Sequence, residues 1–242
     1  MVGRYKMTVH LWPEVKQAQK LQTWFNVDDR RIVEELGFIL KNYPQDTVVQ
    51  RRTLEEDKVF LVRSGWGCLY SHLPDGDRQI ADFPMRGDIV IPRDHRDDSG
   101  ETLCAHTALV LLEAPVSSLF AGLARSPPLC TAFWAAIRRQ RAILAQHLVS
   151  VGCRRAIARV AHLLLELAVR LEQTGEITRY EFRCPLTQYD FADALGLTTI
   201  HINRVLRELR ERGLVEFRYG SVRFLNRPGL ERLADFDGAY LA

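Results

Sequence analysis

From about residue 26 to residue 120 the chain runs in short stretches of alternating apolar and polar side chains, separated by turn signals. VFLV (59–62), GCLY (67–70), QIADF (79–83) and DIVI (88–91) predict strands, because an extended chain points successive side chains to opposite faces. LPDGDR, between the second and third of these, predicts a hairpin: Pro and Asp favour a turn, and Gly76 accepts positive φ. TLCAHTALVLLEA (102–114), after the loop RDHRDDSG, predicts more strand. Many short strands with closely spaced turns predict a small antiparallel barrel or roll.

Beyond Ser126 the apolar period lengthens to three and four. SPPLCTAFWAAIRRQRAILAQHLVSVGC opens with Ser126 before Pro127 and Pro128, a helix start. Cys130, Ile137, Leu144 and Val151 fall seven apart, and Phe133, Gln140 and His147 occupy the intervening offset. This is an imperfect heptad seam with two polar positions. It reads either as a helix packed on its own barrel or as a dimer helix. In the second reading Phe133, Ile137, Gln140, Leu144, His147 and Val151 face the partner, and Gln140 and His147 help to fix register.

RRAIARVAHLLLELAVRLEQTG (154–175) predicts a strongly amphipathic helix ended by Gly175. Two more apolar-periodic segments then meet at Gly196 in LTQYDFADALGLTTIHINRVLRELRERGLV (186–215). Phe191 and Leu195 share a face of the first; Ile202, Val205, Leu206 and Leu209 share a face of the second. Ala192 is small where the helices cross, and Gly196 supplies the backbone freedom for a tight turn. Thr187, with Asp190 three residues on, caps the first helix, and Thr198 caps the second. Burying those apolar faces leaves Thr199, Ile200, Asn203, Arg204 and Arg207 in one outward stripe. VEFRYGSVRFLNR then alternates about Tyr219-Gly220-Ser221, as a short hairpin does.

The stripe's residue types suit the DNA major groove. Arginine bonds the guanine edge in bidentate fashion, asparagine pairs with adenine, and isoleucine or a threonine methyl touches the thymine methyl. From Thr198 to Arg227 there are seven arginines against three acidic residues, a local net of +4. The whole chain carries only +3, so the distribution of charge, not its total, points to a partner. The expected DNA contacts are Thr187, Thr198, Thr199, Ile200, His201, Asn203, Arg204 and Arg207. Arg218 and Arg223, which flank the hairpin, are expected on phosphates.

Cys68, Cys104, Cys130, Cys153 and Cys184 lie 23 or more residues apart and form no CxxC. That spacing argues against a zinc module, a local iron–sulfur cluster or a disulfide framework and leaves buried, reduced thiols. The N-terminus lacks the apolar core of a signal peptide, and no window approaches 18 uninterrupted apolar residues. A cytoplasmic protein with no membrane partner is expected, given a bacterial host.

The segment 186–215 resembles the helix-turn-helix of the Crp/Fnr family of bacterial transcription regulators, and VEFRYGSVRF stands in the place of that family's wing. Upstream, WGCLYSHLPDGDRQIADFPMRGDIV resembles its cyclic-nucleotide-binding-type β-roll, including the late Gly87-Asp88. The helix after Ser126 takes the place of its dimerisation helix. The resemblance implies an α+β fold: an N-terminal antiparallel β-roll sensor domain (1–125), a dimerisation helix (126–152) and a C-terminal winged helix-turn-helix DNA-binding domain (153–242). It implies double-stranded DNA, a second copy of the chain and RNA polymerase as partners. Arg204 matches the family's guanine-reading arginine. Ile200 stands where well-known members often carry glutamate, and Thr199 where the catabolite-activator branch has arginine, so the flanking specificity is expected to differ.

Cyclic-nucleotide binding is a further implication that the residues do not support. Members that bind one follow the Gly-Glu turn with Arg, then Ser or Thr, then Ala. Here Arg93 and Arg96 are surrounded by Asp94, Asp97, Asp98 and Glu101, which repel a phosphate. The oxygen-sensing cysteine cluster is missing, and His72, His95 and His106 have no haem motif around them. No cofactor or metal is therefore expected. Three alternatives remain: a cyclic-nucleotide-dependent regulator, a protein-binding adaptor, and a cupin-type metal enzyme. The enzyme would need clustered His and Glu ligands, whereas YSHLPDGD offers one His; no P-loop, GxSxG or HExxH appears, and no enzymatic activity is expected.

Overall fold

The computed structural model describes residues 36–50, 57–91, 101–177 and 180–242. The expected strands form. β1 (Ile39–Tyr43), β8 (Leu109–Pro115), β3 (Lys58–Ser64) and β6 (Ile89–Val90) make one antiparallel sheet in that order. β2 (Val48–Gln50), β7 (Thr102–Ala105), β4 (Gly67–His72) and β5 (Arg78–Asp82) make the second. The LPDGDR turn joins β4 to β5, with Gly76 at φ 92°.

Both faces of the first sheet are covered, which explains why VFLV is continuously apolar. Phe60 and Val62 of β3 point into the roll with Leu109 and Leu111 of β8. Their neighbours Val59, Leu61, Leu112 and Ala114 point outward, under the helices that follow. Those helices are α1 (Val116–Arg125), which begins inside the stretch whose pattern predicts strands, and α2 (Pro127–Cys153). Ser126 caps α2 as expected, its side chain accepting from the Leu129 amide.

The orientation of α2 corrects half of the expected seam. Phe133 is buried under the roll and Ile137 packs partly against the same cluster. His147 also turns inward: Nδ1 lies 2.9 Å from the Ala81 carbonyl and Nε2 2.9 Å from Glu166. Gln140 is half-buried beside Asp88 and Arg139. The reason is helical phase. The d-like positions Leu144 and Val151 are exposed as expected, but their outward neighbours are Trp134, Arg141 and Leu148, one residue on from Phe133, Gln140 and His147. Leu148 is 75% exposed and Trp134 59%.

α3 (Ala156–Gln173) is nearly engulfed, with Val160 to Ala168, Arg170 and Leu171 all buried. One continuous core joins it to the outer face of the second sheet, through Tyr70, Ile80 and Phe83, and to the helices and strands that follow. No helix of the described residues is long and apolar enough to cross a membrane. Of the thiols expected to be buried, Cys68 and Cys184 are, and burial pushes both up to about 12. Cys104 and Cys130 are half-buried, and Cys153, on the last turn of α2, is exposed, which corrects that expectation.

A buried ionic cluster sits where roll, α2 and α3 meet. The Arg170 guanidinium, 1% exposed, donates to Asp82 (2.8 Å), Asp88 (2.7 Å), Glu166 (3.4 Å) and the Phe83 carbonyl (3.2 Å). Arg139 of α2 holds the other oxygen of Asp88 at 2.7 Å. Glu166 also accepts from His147 and, at 2.8 Å, from the Tyr240 hydroxyl. Burial alone would lower the His147 pKa, but the Glu166 carboxylate outweighs it and pushes it up to about 9. Geometry agrees: both ring nitrogens face acceptors, so both carry a proton.

This sets a pH dependence. A histidine whose folded pKa lies above its unfolded value of about 6.5 stabilises fully below that value and loses the effect as pH rises through the folded one. The thermal stability of the wild type should exceed that of His147→Gln by on the order of 2 kcal/mol at about pH 6. The gap should close towards about pH 10. Unfolding curves of both proteins across this range check it; a gap independent of pH would remove the protonated histidine from the account.

Candidate nucleic-acid interface

The segment 186–215 folds as its apolar pattern requires. α4 (Gln188–Leu195) buries Phe191, Ala192 and Leu195. α5 (Thr199–Glu211) buries Ile202, Val205 and Leu209, with Leu206 partly buried against the same core. Thr187 and Asp190 form a reciprocal capping box: the Thr187 hydroxyl accepts from the Asp190 amide, and the Asp190 carboxylate accepts from the Thr187 amide at 2.7 Å. Gly196 ends α4 at φ 61°, the left-handed conformation that lets the chain turn at once into the next helix. Thr198 caps α5 by accepting from the His201 amide at 3.3 Å.

Side chains from the roll and from α3 hold this pair of helices in place. Arg78 of β5 donates through two nitrogens to Asp193 of α4, at 2.9 and 2.8 Å, and reaches Asp190 at 3.4 Å. Its guanidinium also lies over the Tyr70 ring, 5.2 Å from the centroid. Arg159 of α3 donates to the Leu195 carbonyl at 3.0 Å, satisfying the end of α4. His106 stands near the same helix start, 3.4 Å from the Pro185 carbonyl and 3.7 Å from Asp190, and His72 rests edge-on against Tyr70.

With the inner faces buried, α5 presents a stripe outward. Ile200 is 79% exposed; His201, Asn203, Arg204 and Arg207 are exposed, and Thr199 is half-buried at the helix start. Thr187 and Thr198 are also exposed, with their hydroxyls engaged as caps. Arg207 leans towards Glu211, 4.0 Å away. Arg204 has no hydrogen-bonding or ionic partner among the described residues, so its five donors are available to a ligand.

The hairpin after α5 is β10 (Val215–Arg218) and β11 (Ser221–Phe224). A third strand, β9 (Glu181–Arg183), pairs with β11; three residues is too short a run for periodicity to reveal. Phe217 of β10 packs edge-on against Phe191 of α4, fixing the hairpin to the helix pair. Arg218 and Arg223 are exposed, as expected, but both are tied to Glu216: Arg218 at 3.3 Å and Arg223 at 2.5 Å. Spacing did not announce this pairing, because Glu216 and Arg223 meet across the hairpin. α6 (Arg227–Ala234) and a final short 3₁₀ turn, Gly238–Leu241, return the chain to α3, where Phe236 and Tyr240 pack on His162. Arg93, His95, Arg96 and the aspartates around them lie outside the described residues.

Comparisons with known proteins agree with this architecture. Residues 158–233 match the Crp-like helix-turn-helix domain. The nitrogen fixation regulation protein FixK of Azorhizobium caulinodans is 31% identical over 163 residues, which are 66% of this chain and 64% of that protein. The solved structure of FixK2 from Bradyrhizobium japonicum superposes with a TM-score of 0.71 at 24% identity, over 81% of this chain and 96% of that one. A transcriptional regulator of the Crp/Fnr family from Eubacterium rectale superposes at 0.59 with 19% identity, over 93% and 99%. Residues 158–233 are thus a Crp-like helix-turn-helix domain, and the chain as a whole is similar in sequence to FixK and shares the fold of Crp/Fnr-family structures.

Proposed function

We propose that this protein is a transcription regulator that binds an inverted-repeat DNA operator as a homodimer. One observation carries the reading: the exposed guanidinium of Arg204, without a partner among the described residues, in the outward stripe of α5 between Ile200 and Arg207. Asn203 beside it adds an adenine-reading amide, and Ile200 an apolar contact for a thymine methyl. Thr187, Thr198, Thr199 and His201 border the stripe as phosphate or groove-edge contacts. The relatives are regulators rather than enzymes, and RNA polymerase is the expected protein partner of such a regulator.

The dimer reading rests on the outward face of α2. Trp134, Leu144, Leu148 and Val151 form an apolar strip with heptad spacing that no described residue covers. Pairing two such strips about a two-fold axis sets two copies of α5 one helical turn apart, about 34 Å. The β-roll then senses a signal or serves as structural support.

Selection of bound sequences from a random duplex pool tests this reading. An enriched inverted repeat is expected; no enrichment by folded protein, with or without cell-extract metabolites, would reject it. On the selected duplex Arg204→Ala should cost roughly 1–3 kcal/mol and relax preference at one base pair per half-site. An equal loss on every sequence would assign Arg204 to a phosphate instead.

The Glu216 pairing generates a second expectation. Glu216→Gln releases Arg218 and Arg223, so affinity should rise on matched and mismatched duplexes alike, with a steeper salt dependence. Alanine at either arginine should flatten that dependence. Salt titrations of the variants measure both effects, and unchanged slopes would take the hairpin out of the interface.

A further inference from the structure

Tyr219 is the most exposed large hydrophobic side chain among the described residues, at 95%. It stands at the tip of the β10–β11 hairpin, and it makes no side-chain hydrogen bond, ion pair or ring contact there. Its backbone is in the left-handed region, φ 52°, and Gly220 follows at φ 68°. Two positive φ values closing the pair Arg218↔Ser221 define a tight two-residue turn of the I′ kind. Such turns favour Asn-Gly, and a bulky aromatic at the first position is strained. The ring therefore gains nothing from packing while its backbone is held in an unfavourable well. Neither cost is offset inside the chain.

The tip is held firmly. The Cys184 amide donates to the Gly220 carbonyl at 2.9 Å, and Arg183 donates to the Tyr219 carbonyl at 3.4 Å. Cys184 lies three residues before Thr187, so the tip stands beside the start of α4, on the same head as the α5 stripe. Arg183 and Arg218 flank it and keep its surroundings basic. Four residues of paired strand carry the tip roughly 13 Å from the turn that ends α5. With α5 in a major groove, the neighbouring minor groove lies about half a turn, roughly 17 Å, along the duplex.

Resting on the DNA-reading function above, we infer that Tyr219 lays its ring into the minor groove flanking each half-site. There it makes apolar contact with the sugar walls and reads groove width. A·T-rich minor grooves draw basic side chains such as those flanking the ring, and apolar side chains are known to enter minor grooves beside them. The contact adds specificity outside the base pairs that α5 touches.

Two substitutions test it on a duplex selected by the wild type and on the same duplex with its flanking A·T pairs changed to G·C. Tyr219→Asn removes the ring and installs the favoured Asn-Gly turn. It should raise the unfolding temperature by about 2 °C while weakening binding about tenfold and erasing the preference for A·T flanks. Tyr219→Phe keeps the ring and should bind within about twofold of the wild type. Full affinity for the Asn variant would overturn the inference. So would a Phe variant as weak as the Asn variant, which would make the hydroxyl a phosphate ligand, or a fall in stability on Tyr219→Asn, which would make the residue structural. Failure of the wild type to select any sequence rejects the DNA reading itself, whereas selection with indifferent Tyr219 variants rejects this contact alone.

Discussion

A fully buried guanidinium is tolerable only if carboxylates surround it, and Arg170 imposes that condition on the whole molecule. Its partners come from separate places: Asp82 and Asp88 from the roll, Glu166 from its own helix. Asp88 is shared with Arg139 of α2, and Glu166 with His147 of α2 and Tyr240 of the C-terminal turn. Burial pulls against each charge, and the neighbours outweigh it: Glu166 is held down to about 2 and Asp88 below the usual carboxylate range. Such a cluster is weak as a source of stability and strong as a source of geometry, since a displaced member leaves an unpaired charge in the interior. One donor, Arg170 Nε, has no hydrogen-bond partner among the described residues, so the cluster has no slack on that side.

That geometry reaches the reading helix by short steps. The cluster ties α3 to α2 and to the roll, α3 carries Arg159 onto the end of α4, and Arg78 grips α4 from β5. The helix-turn-helix is thus fastened to the roll by Arg78 and to α3 by Arg159, and shares a continuous apolar core with the second sheet. In the proposed dimer, a signal that reached one head from its own roll would pass through these contacts, because packed elements respond by moving between discrete arrangements. Both anchors, Arg78 and Arg159, are half-buried at the surface rather than sealed inside.

The α2 helix shows how one apolar pattern serves two masters. Leu129, Ala132, Phe133 and Ile143 close the roll, while Leu144, Leu148 and Val151 face away from it. Apolar residues therefore surround most of the helix, and a heptad count cannot assign the two faces. The neighbouring sheet decides the phase, and it takes Phe133 and His147 for the inside. The hairpin gives a smaller instance: the charge of Arg218 and Arg223 is legible residue by residue, yet Glu216 moderates both once the strands pair.

The sequence by itself determined the elements whose information is local. Alternation marked β3 to β8; the Ser126, Thr187 and Thr198 caps and Gly196 marked where helices start and turn; helical spacing separated Ile202, Val205 and Leu209 from Ile200, Asn203, Arg204 and Arg207. It also carried the resemblance that the comparisons then supported. Only the tertiary structure decided which face of α2 is free, where the charges of Arg170 and His147 go, and how the tip bearing Tyr219 is braced. Those outcomes depend on partners far apart in the chain, such as Asp82 with Arg170 and Ala81 with His147. A residue's spacing to its neighbours holds no record of the group it will meet when the chain closes on itself.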